Sequence, residues 1–166
     1  MGLLAFMKEA GEKLFGRGQA QAAQAAAKTA PTPENIAAAN AAAGKAIVDY
    51  IHSMKLDAAG LAVDVDAASG TVTVSGEAAD EATREKIVLC CGNVHGVSNV
   101  NDNMSVKVSS DPSRWHTVVS GDTLSAISLK FYGNANKYQG IFEANKPMLT
   151  HPDKIYPGQV LRIPAQ

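Results

Sequence analysis

The C-terminal third of the chain carries several separated motifs that together fix the order of its secondary structure. Residues 115–119 are rich in aromatic and β-branched side chains, which predicts a strand. Gly121 permits a tight turn after this strand, and Asp122 is expected to cap the helix that follows. A second, short helix is predicted over 137–145 and a last strand over 160–164. The pattern therefore predicts the order strand, helix, helix, strand.

This order, with the motifs V-x-S-G-D-T-L, N-K-P and I-Y-P-G-Q-V-L-R-I-P, resembles the LysM domain. We assign residues 114–166 to it, after a linker at 109–113. LysM domains often hold N-acetylglucosamine polymers in a shallow groove between the loop after the first strand and the loop before the last strand. The resemblance implies a candidate glycan groove formed by Gly121, Asp122, Thr123, Leu124, Lys146, Pro147 and Met148.

The sequence pattern of residues 44–108 predicts a second compact unit. A helix is expected over 45–54, a β-hairpin over 61–76 and another helix over 79–91 that Gly92 ends. This order, with V-T-V-S-G before the second helix and G-V-S-N-V after it, resembles the BON domain. The predicted fold class is therefore α+β, with a helical N-terminal arm, a BON domain of αββαβ order and a LysM domain of βααβ order.

Two further segments precede these units. Residues 1–15 predict an amphipathic helical arm, which must dock on other structure because so short a helix is unstable alone. Residues 16–43 are rich in Ala and Gln and are interpreted as a spacer. A helix is expected over 19–28, prolines interrupt it, and a further helix is expected over 34–43, separate from the first BON helix.

The overall composition argues against several classes of protein. A formal net charge of −1 argues against broad electrostatic capture of nucleic acid or anionic lipid. The sequence lacks a run of about eighteen apolar residues, so no transmembrane segment is predicted. The N-terminus lacks a basic leader, and a cytoplasmic location is expected. Cys90 and Cys91, adjacent in sequence, are expected to be reduced thiols in the last turn of a helix.

The sequence predicts no enzyme. Ser120 and Asp122 are close in sequence, but neither has a nearby His placed as a base. Asp80, Glu81 and Glu85 lie on one predicted helix, where a solvated outer face is expected. The glycines occur singly at turns rather than in a phosphate-binding loop. The histidines and cysteines lack the spacing of a zinc site.

The whole chain also has a resemblance of its own. An N-terminal M-G-L-x-x-F-x-K-x-A-G-E-K-L segment, followed by one BON and one LysM domain, resembles the small cytoplasmic BON–LysM proteins of Gram-negative bacteria. The studied member of that family binds potassium and is connected with growth at high external potassium. The resemblance implies that K⁺ is the ligand and that the protein is a potassium sensor or responder, whose conformation or stability changes on ion binding.

We place this ion among backbone carbonyls at the end of the second BON helix. Potassium is large and weakly hydrated, so several carbonyl dipoles suit it. The last carbonyls of a helix lack intrahelical partners and carry the negative end of its dipole. Gly92 and Gly96 are expected to take positive φ and turn carbonyls inward. The N-terminal arm would supply a second set. The predicted ligands, all through backbone oxygens, are Met7, Ala10, Gly92, Val94 and Val97.

Two other functions remain open at this point. One is recognition of peptidoglycan or other N-acetylglucosamine polymers by the LysM groove, which a cytoplasmic location disfavours because the protein would not meet the cell wall. The other is an interaction module that binds protein partners and no small ligand.

Overall fold

The computed structural model describes residues 18–94, 96–110 and 113–166. The predicted N-terminal arm at 1–15, with Met7 and Ala10, lies outside the described residues. No described helix is long and apolar enough to cross a membrane.

The first unit has the predicted order of helices and strands, with one more helix before it. Its elements are α1 (Gly18–Thr29), α2 (Pro33–Ser53), β1 (Ala59–Asp66), β2 (Thr71–Asp80), α3 (Glu81–Gly92) and β3 (Asn99–Val108). β1 and β2 form an antiparallel hairpin, and β3 lies parallel to β2 on its other side. Parallel pairing needs a crossover connection, which α3 supplies.

The core of this unit lies between the sheet and two helices. α2 packs against β1, and α3 packs against β2 and β3. Alternate residues of β2 point into the core, as the period of a strand requires. The fully buried side chains at the centre are those of Ile47, Ile51, Val72, Val74, Ile87 and Val94.

A single helix, α2, runs across the boundary predicted after residue 43. Thr32 caps its start. The expectation of separate helices on either side of the boundary is wrong, because no residue there breaks the hydrogen-bond ladder and Gly44 packs against β1 instead of ending a helix. Ala39, Ala43 and Gly44 are buried, so part of the Ala-rich block belongs to the core.

The second unit comprises β4 (Arg114–Thr117), α4 (Leu124–Tyr132), a 3₁₀ turn (Ala135–Lys137), α5 (Tyr138–Ala144) and β5 (Val160–Ile163). β4 and β5 pair antiparallel, and the two helices pack with them around a separate core. The α+β fold class is confirmed, with one three-stranded and one two-stranded sheet.

The start of α4 is capped by Thr123, so the prediction of an Asp122 cap is wrong. Ala126 N donates to Thr123 Oγ1 at 3.1 Å. Asp122 instead accepts a hydrogen bond from Val119 N at 3.0 Å, and its Oδ2 lies 2.8 Å from His116 Nε2. A histidine therefore does lie beside Asp122, because the turn after β4 folds the carboxylate back onto the strand.

Gly44 and Gly140 both lie inside helices, but they predict opposite responses to alanine. A Cβ at Gly44 would stand 2.3 Å from the carbonyl oxygen of Val63, whereas a Cβ at Gly140 would meet nothing within 4 Å. Gly44→Ala should lower the free energy of unfolding by about 1–3 kcal/mol through overpacking. Gly140→Ala should raise it by about 0.5–1 kcal/mol through better helix propensity. Urea unfolding checks both values, and changes of the same sign would contradict this account.

Candidate ion site and domain interface

The α3 helix ends in a tight turn that concentrates backbone carbonyls at its C-terminus. Asn93 N donates to the carbonyl of Leu89 at 3.1 Å, and Val94 N donates to that of Cys91 at 3.3 Å. Each carbonyl keeps a second lone pair, and the negative end of the helix dipole lies here. Val94 is fully buried, so the turn is folded against the protein.

The two glycines of this turn have different conformations. Gly96 has φ +82°, as predicted, and Val97 N donates to the Val94 carbonyl at 3.2 Å. The same prediction for Gly92 is wrong, because α3 continues through Gly92 and is capped by Asn93 with φ −93°. The Gly92 carbonyl is therefore directed beyond the helix end by helical geometry and not by a left-handed residue.

Gly70, in the turn between β1 and β2, fixes the far side of this segment. Its carbonyl accepts hydrogen bonds from Ser98 N at 2.7 Å and from Asn99 N at 3.3 Å. Its φ is +66°, and a Cβ would stand 2.9 Å from the carbonyl oxygen of Gly96. Glycine is needed for both the backbone angle and this close approach. The hairpin thus sets the position of the Gly96 carbonyl, which sequence reasoning missed.

The structure brings three of the five predicted ligands together. Gly92, Val94 and Val97 lie in one turn at the end of α3, while Met7 and Ala10 lie outside the described residues. Among residues 18–94, 96–110 and 113–166 there is no group of three His, Cys, Asp or Glu that could hold a metal ion. What this turn offers a cation is neutral carbonyl oxygen, a donor type that suits a large, weakly hydrated monovalent ion.

Asn93, the residue after α3, joins the two units. Its side-chain amide donates to the Val160 carbonyl at 3.4 Å, and its Oδ1 accepts from Val160 N at 3.2 Å. The amide therefore pairs with the backbone of β5 as a neighbouring strand would. The end of α3 is tied directly to the second unit.

A cavity of about 240 Å³ lies beside this contact. Gly92 and Val97 line it from the first unit, and Trp115 and Val160 line it from the second. Trp115 is 42% exposed, so its ring lies at the boundary between the cavity and solvent. The cavity thus adjoins the carbonyl turn and is lined by both units.

A buried ion pair between Glu85 and Arg162 fastens the units together. Glu85 in α3 is 2% exposed and Arg162 in β5 is 8% exposed. Arg162 Nε donates to Glu85 Oε2, and Ser113 N donates to Glu85 Oε1 at 2.7 Å. Burial by itself would raise the pKa of Glu85, but the hydrogen bonds from Arg162 and Ser113 hold that pKa below its ordinary value. Glu85 is therefore ionised at neutral pH.

The prediction of a solvated outer face for Glu81 and Glu85 is wrong, since both are buried. Glu81 lies 3.2 Å from Arg84 Nη1, and Glu85 binds Arg162. Arg162, a charge inside an apolar strand, was the one signal of a buried pair in the sequence. The sequence does not identify which carboxylate pairs with Arg162.

Cys90 and Cys91 are free thiols in the last turn of α3, as predicted, and both are buried. Burial raises the pKa of each thiol to about 12, with smaller contributions from Cys91 on Cys90 and from Asp102 on Cys91. Both thiols therefore stay protonated at neutral pH.

The two halves of the candidate glycan groove flank one core. Leu124, the last residue of the first predicted segment, and Leu149, which follows the second, are both buried in the core of the second unit. The exposed residues at this edge are Gly121, Thr123 and Pro147.

Other groove residues have protein partners. Partial burial would raise the pKa of Asp122, but the bonds from Val119 and His116 lower it, so its carboxylate is ionised and already paired. Lys146 Nζ lies 2.8 Å from Glu143 Oε1. Met148 packs against the core of the first unit. What remains open to a sugar is mainly backbone.

Comparison with known families agrees with this architecture. The BON domain family matches residues 47–108, and the LysM domain family matches residues 116–164. The fold and the interface thus define a two-domain BON–LysM protein.

The relationship extends over the full chain. The chain is 42% identical to the "Potassium binding protein Kbp" of Escherichia coli O6:H1, over 100% of both chains. An uncharacterised protein of Deinococcus radiodurans is 44% identical over 50 residues, which are 30% of this chain and 19% of that protein. The chain belongs to the BON–LysM family that includes Kbp.

Breaking the Glu85–Arg162 pair should be far more costly than breaking a surface pair. Glu85→Leu or Arg162→Met alone leaves one buried charge without its partner and should lower the free energy of unfolding by about 3–5 kcal/mol. The double variant should lose less unfolding free energy than the sum of the losses of the two single variants. Asp49→Asn, which breaks the exposed pair with Lys45, should cost less than about 1 kcal/mol. Urea unfolding measures all four, and additive losses at 85 and 162 would contradict the pairing.

The same pair predicts a contribution to acid unfolding. The pKa of Glu85 is lower in the folded protein than in the unfolded chain. Its stabilisation is therefore complete above the unfolded value of about 4.3 and is lost as the pH falls through the folded value. The wild type should lose more stability than the double variant between about pH 5 and about pH 2. If the free energy of unfolding fell equally with pH in the wild type and the double variant, the lowered pKa would not belong to Glu85.

Proposed function

We propose that this chain is a potassium-binding protein. The ion is held by backbone carbonyls at the end of α3, around Gly92, Val94 and Val97, and the carbonyls of Met7 and Ala10 complete the set. The observation that carries the proposal is the 42% identity, over the whole of both chains, with a protein named for potassium binding.

The geometry supports the same ligand. The turn after α3 gathers carbonyls with spare lone pairs at the negative end of a helix dipole. Gly70 holds the Gly96 carbonyl in place from the opposite side. Because the ligands are neutral dipoles in a preformed turn, they favour an ion that loses its hydration shell easily, and potassium does so more readily than sodium.

The proposed role is that of a cytoplasmic potassium sensor or responder. Asn93 lies within the ligand turn, between Gly92 and Val94, and binds β5 of the LysM domain. An ion that stabilises the turn therefore also stabilises the contact between domains. In this role the protein changes stability or conformation with the potassium concentration and presents that change to protein partners.

Potassium should stabilise the folded protein, and sodium should not. Ligand at a hundredfold its dissociation constant adds about 2.7 kcal/mol to the free energy of unfolding. For a chain of this size this corresponds to roughly 5–10 °C in the melting temperature. Thermal melts in KCl and in NaCl at equal ionic strength measure the difference, and rubidium should substitute in part. Equal thermal unfolding midpoints in KCl and NaCl would contradict the proposal.

Removal of residues 1–15 tests the two ligands assigned to the arm. The potassium-dependent shift should fall, because Met7 and Ala10 are removed with the segment. A truncated protein that keeps the full shift would limit the ligand set to the turn after α3.

Gly70→Ala should weaken potassium binding without altering a ligand. The added methyl group would displace the Gly96 carbonyl, which lies 2.9 Å from the position of the new Cβ. Gly60→Ala is the matched control, because Gly60 has φ +65° and a Cβ there would meet nothing within 4 Å. In NaCl, Gly60→Ala should lose about 1–2 kcal/mol from the strained backbone angle, and Gly70→Ala should lose more because its methyl group also meets the Gly96 carbonyl.

Calorimetric titration with KCl separates the two glycine variants. We expect the dissociation constant to rise roughly tenfold in Gly70→Ala, equivalent to about 1.4 kcal/mol, and to stay unchanged in Gly60→Ala. Equal affinities in both variants would remove the Gly70 contact from the site.

Glycan binding by the LysM domain is the second candidate. The match to the LysM family over residues 116–164 favours it, together with the exposed backbone at Gly121 and Thr123. Retention on purified peptidoglycan that is abolished by Thr123→Ala would support this function. A protein that responds to neither ions nor glycans would instead be an interaction module.

A further inference from the structure

Met148 belongs to the LysM domain by sequence but packs on the other domain. It follows α5, and its neighbour Leu149 is buried in the LysM core. The Met148 side chain instead packs against the core of the BON domain. The neighbouring side chains of Met148 and Leu149 therefore pack on different domain cores, and Met148 is an apolar contact across the interface.

The Met148 thioether meets a buried thiol there. Its Sδ lies 3.3 Å from Cys90 Sγ, and Cys90 is 1% exposed. With a pKa raised to about 12, mainly by burial, the thiol is protonated and donates to the thioether. Met148 is half-buried whereas Cys90 is buried, so Met148 is the more accessible residue of the two.

The surroundings of the two sulfur atoms are poorly hydrated. Tyr50, from α2, packs on the same core, and burial raises its pKa to about 12, with smaller contributions from Cys90 and Tyr156. A polar group added at such a place without a full set of hydrogen bonds is destabilising. A single oxygen on Met148 Sδ would therefore oppose the contact between the domains.

We propose that Met148 is an oxidation site through which a two-electron oxidant such as hydrogen peroxide loosens the contact between the BON and LysM domains. The thioether sulfur attacks the peroxide, the O–O bond breaks, an S=O bond forms and water leaves. The product, methionine sulfoxide, is polar and is reversible by methionine sulfoxide reductases. The Cys90 thiol is not consumed, since a protonated, buried thiol is a poor nucleophile.

Trp115 is a built-in reporter for this change. It is the one tryptophan of the sequence, and it lines the cavity between the domains. Separation of the domains exposes the indole ring further to water, which shifts its emission to longer wavelength.

Peroxide treatment of the full-length protein, followed by peptide mapping and fluorescence, tests the proposal. We expect sulfoxide at Met148 before Met104, which is 8% exposed in the BON core. The Trp115 emission should shift to longer wavelength in step with Met148 oxidation, and methionine sulfoxide reductase should restore it. Met148 left unmodified when Met54, also half-buried, is fully converted would overturn the proposal.

Two leucine variants give the matched comparison. Met148→Leu keeps an apolar contact of similar volume and should lose the peroxide-dependent shift. Met54→Leu, which replaces the half-buried methionine that follows α2 and packs on the same core, should keep it. Met148→Gln, a polar replacement, should produce the shift without oxidant. A Met148→Leu protein that responds like the wild type, or complete Met148 oxidation with unchanged emission, would refute the role of Met148.

Discussion

The buried Glu85–Arg162 pair is the contact on which the arrangement of the two domains depends. Removing charges from water costs several kcal/mol for each ion, and mutual attraction offsets this only when the remaining hydrogen-bonding groups are also satisfied. Here Glu85 of α3 accepts hydrogen bonds from Arg162 of β5 and from Ser113 N in the linker, so both of its carboxylate oxygens are satisfied. Asn145 fixes the strand in turn by bonding both the N–H and the carbonyl of Arg162 at 2.8 Å. An arrangement that separates the pair leaves a buried charge without a partner, which disfavours other orientations of the domains.

A single helix, α3, serves both domains, and the spacing of its residues explains how. Its residues Ile87 and Cys91 lie in the BON core, as does Val94 just beyond its end. A second row recurs at every fourth position and is turned toward the LysM domain. In this row Glu85 binds Arg162, Leu89 lines the cavity between the domains, and Asn93 binds Val160. The same helix then ends in the carbonyl turn. Because α3 is a rigid element, the position of the LysM domain and the geometry of that turn are mechanically linked.

Sequence predicts this protein well wherever one residue dictates local backbone shape. Gly96 takes the positive φ expected of it, and burial alternates along most of β1 and the first half of β2 as their patterns predict. It fails where a residue's role depends on a distant partner. Glu85 resembles an ordinary surface carboxylate until Arg162, 77 positions away, is placed beside it. Gly44 resembles a helix boundary until β1 is packed against it. The predicted positive φ of Gly92 is also wrong, since α3 continues through Gly92 and Asn93 caps it.

A site built from backbone oxygens leaves little trace in side-chain chemistry. Val94 and Val97 are apolar and carry no sign of a cation, in contrast to the carboxylates that surround divalent ions. What the proposed site requires of the sequence is backbone shape, and part of that shape comes from outside the ligand set. Gly70 approaches the Gly96 carbonyl more closely than any side chain allows, and its own carbonyl binds the two amides that begin β3. In the proposed site, specificity for an ion would therefore rest on glycines and on core packing rather than on polar side chains.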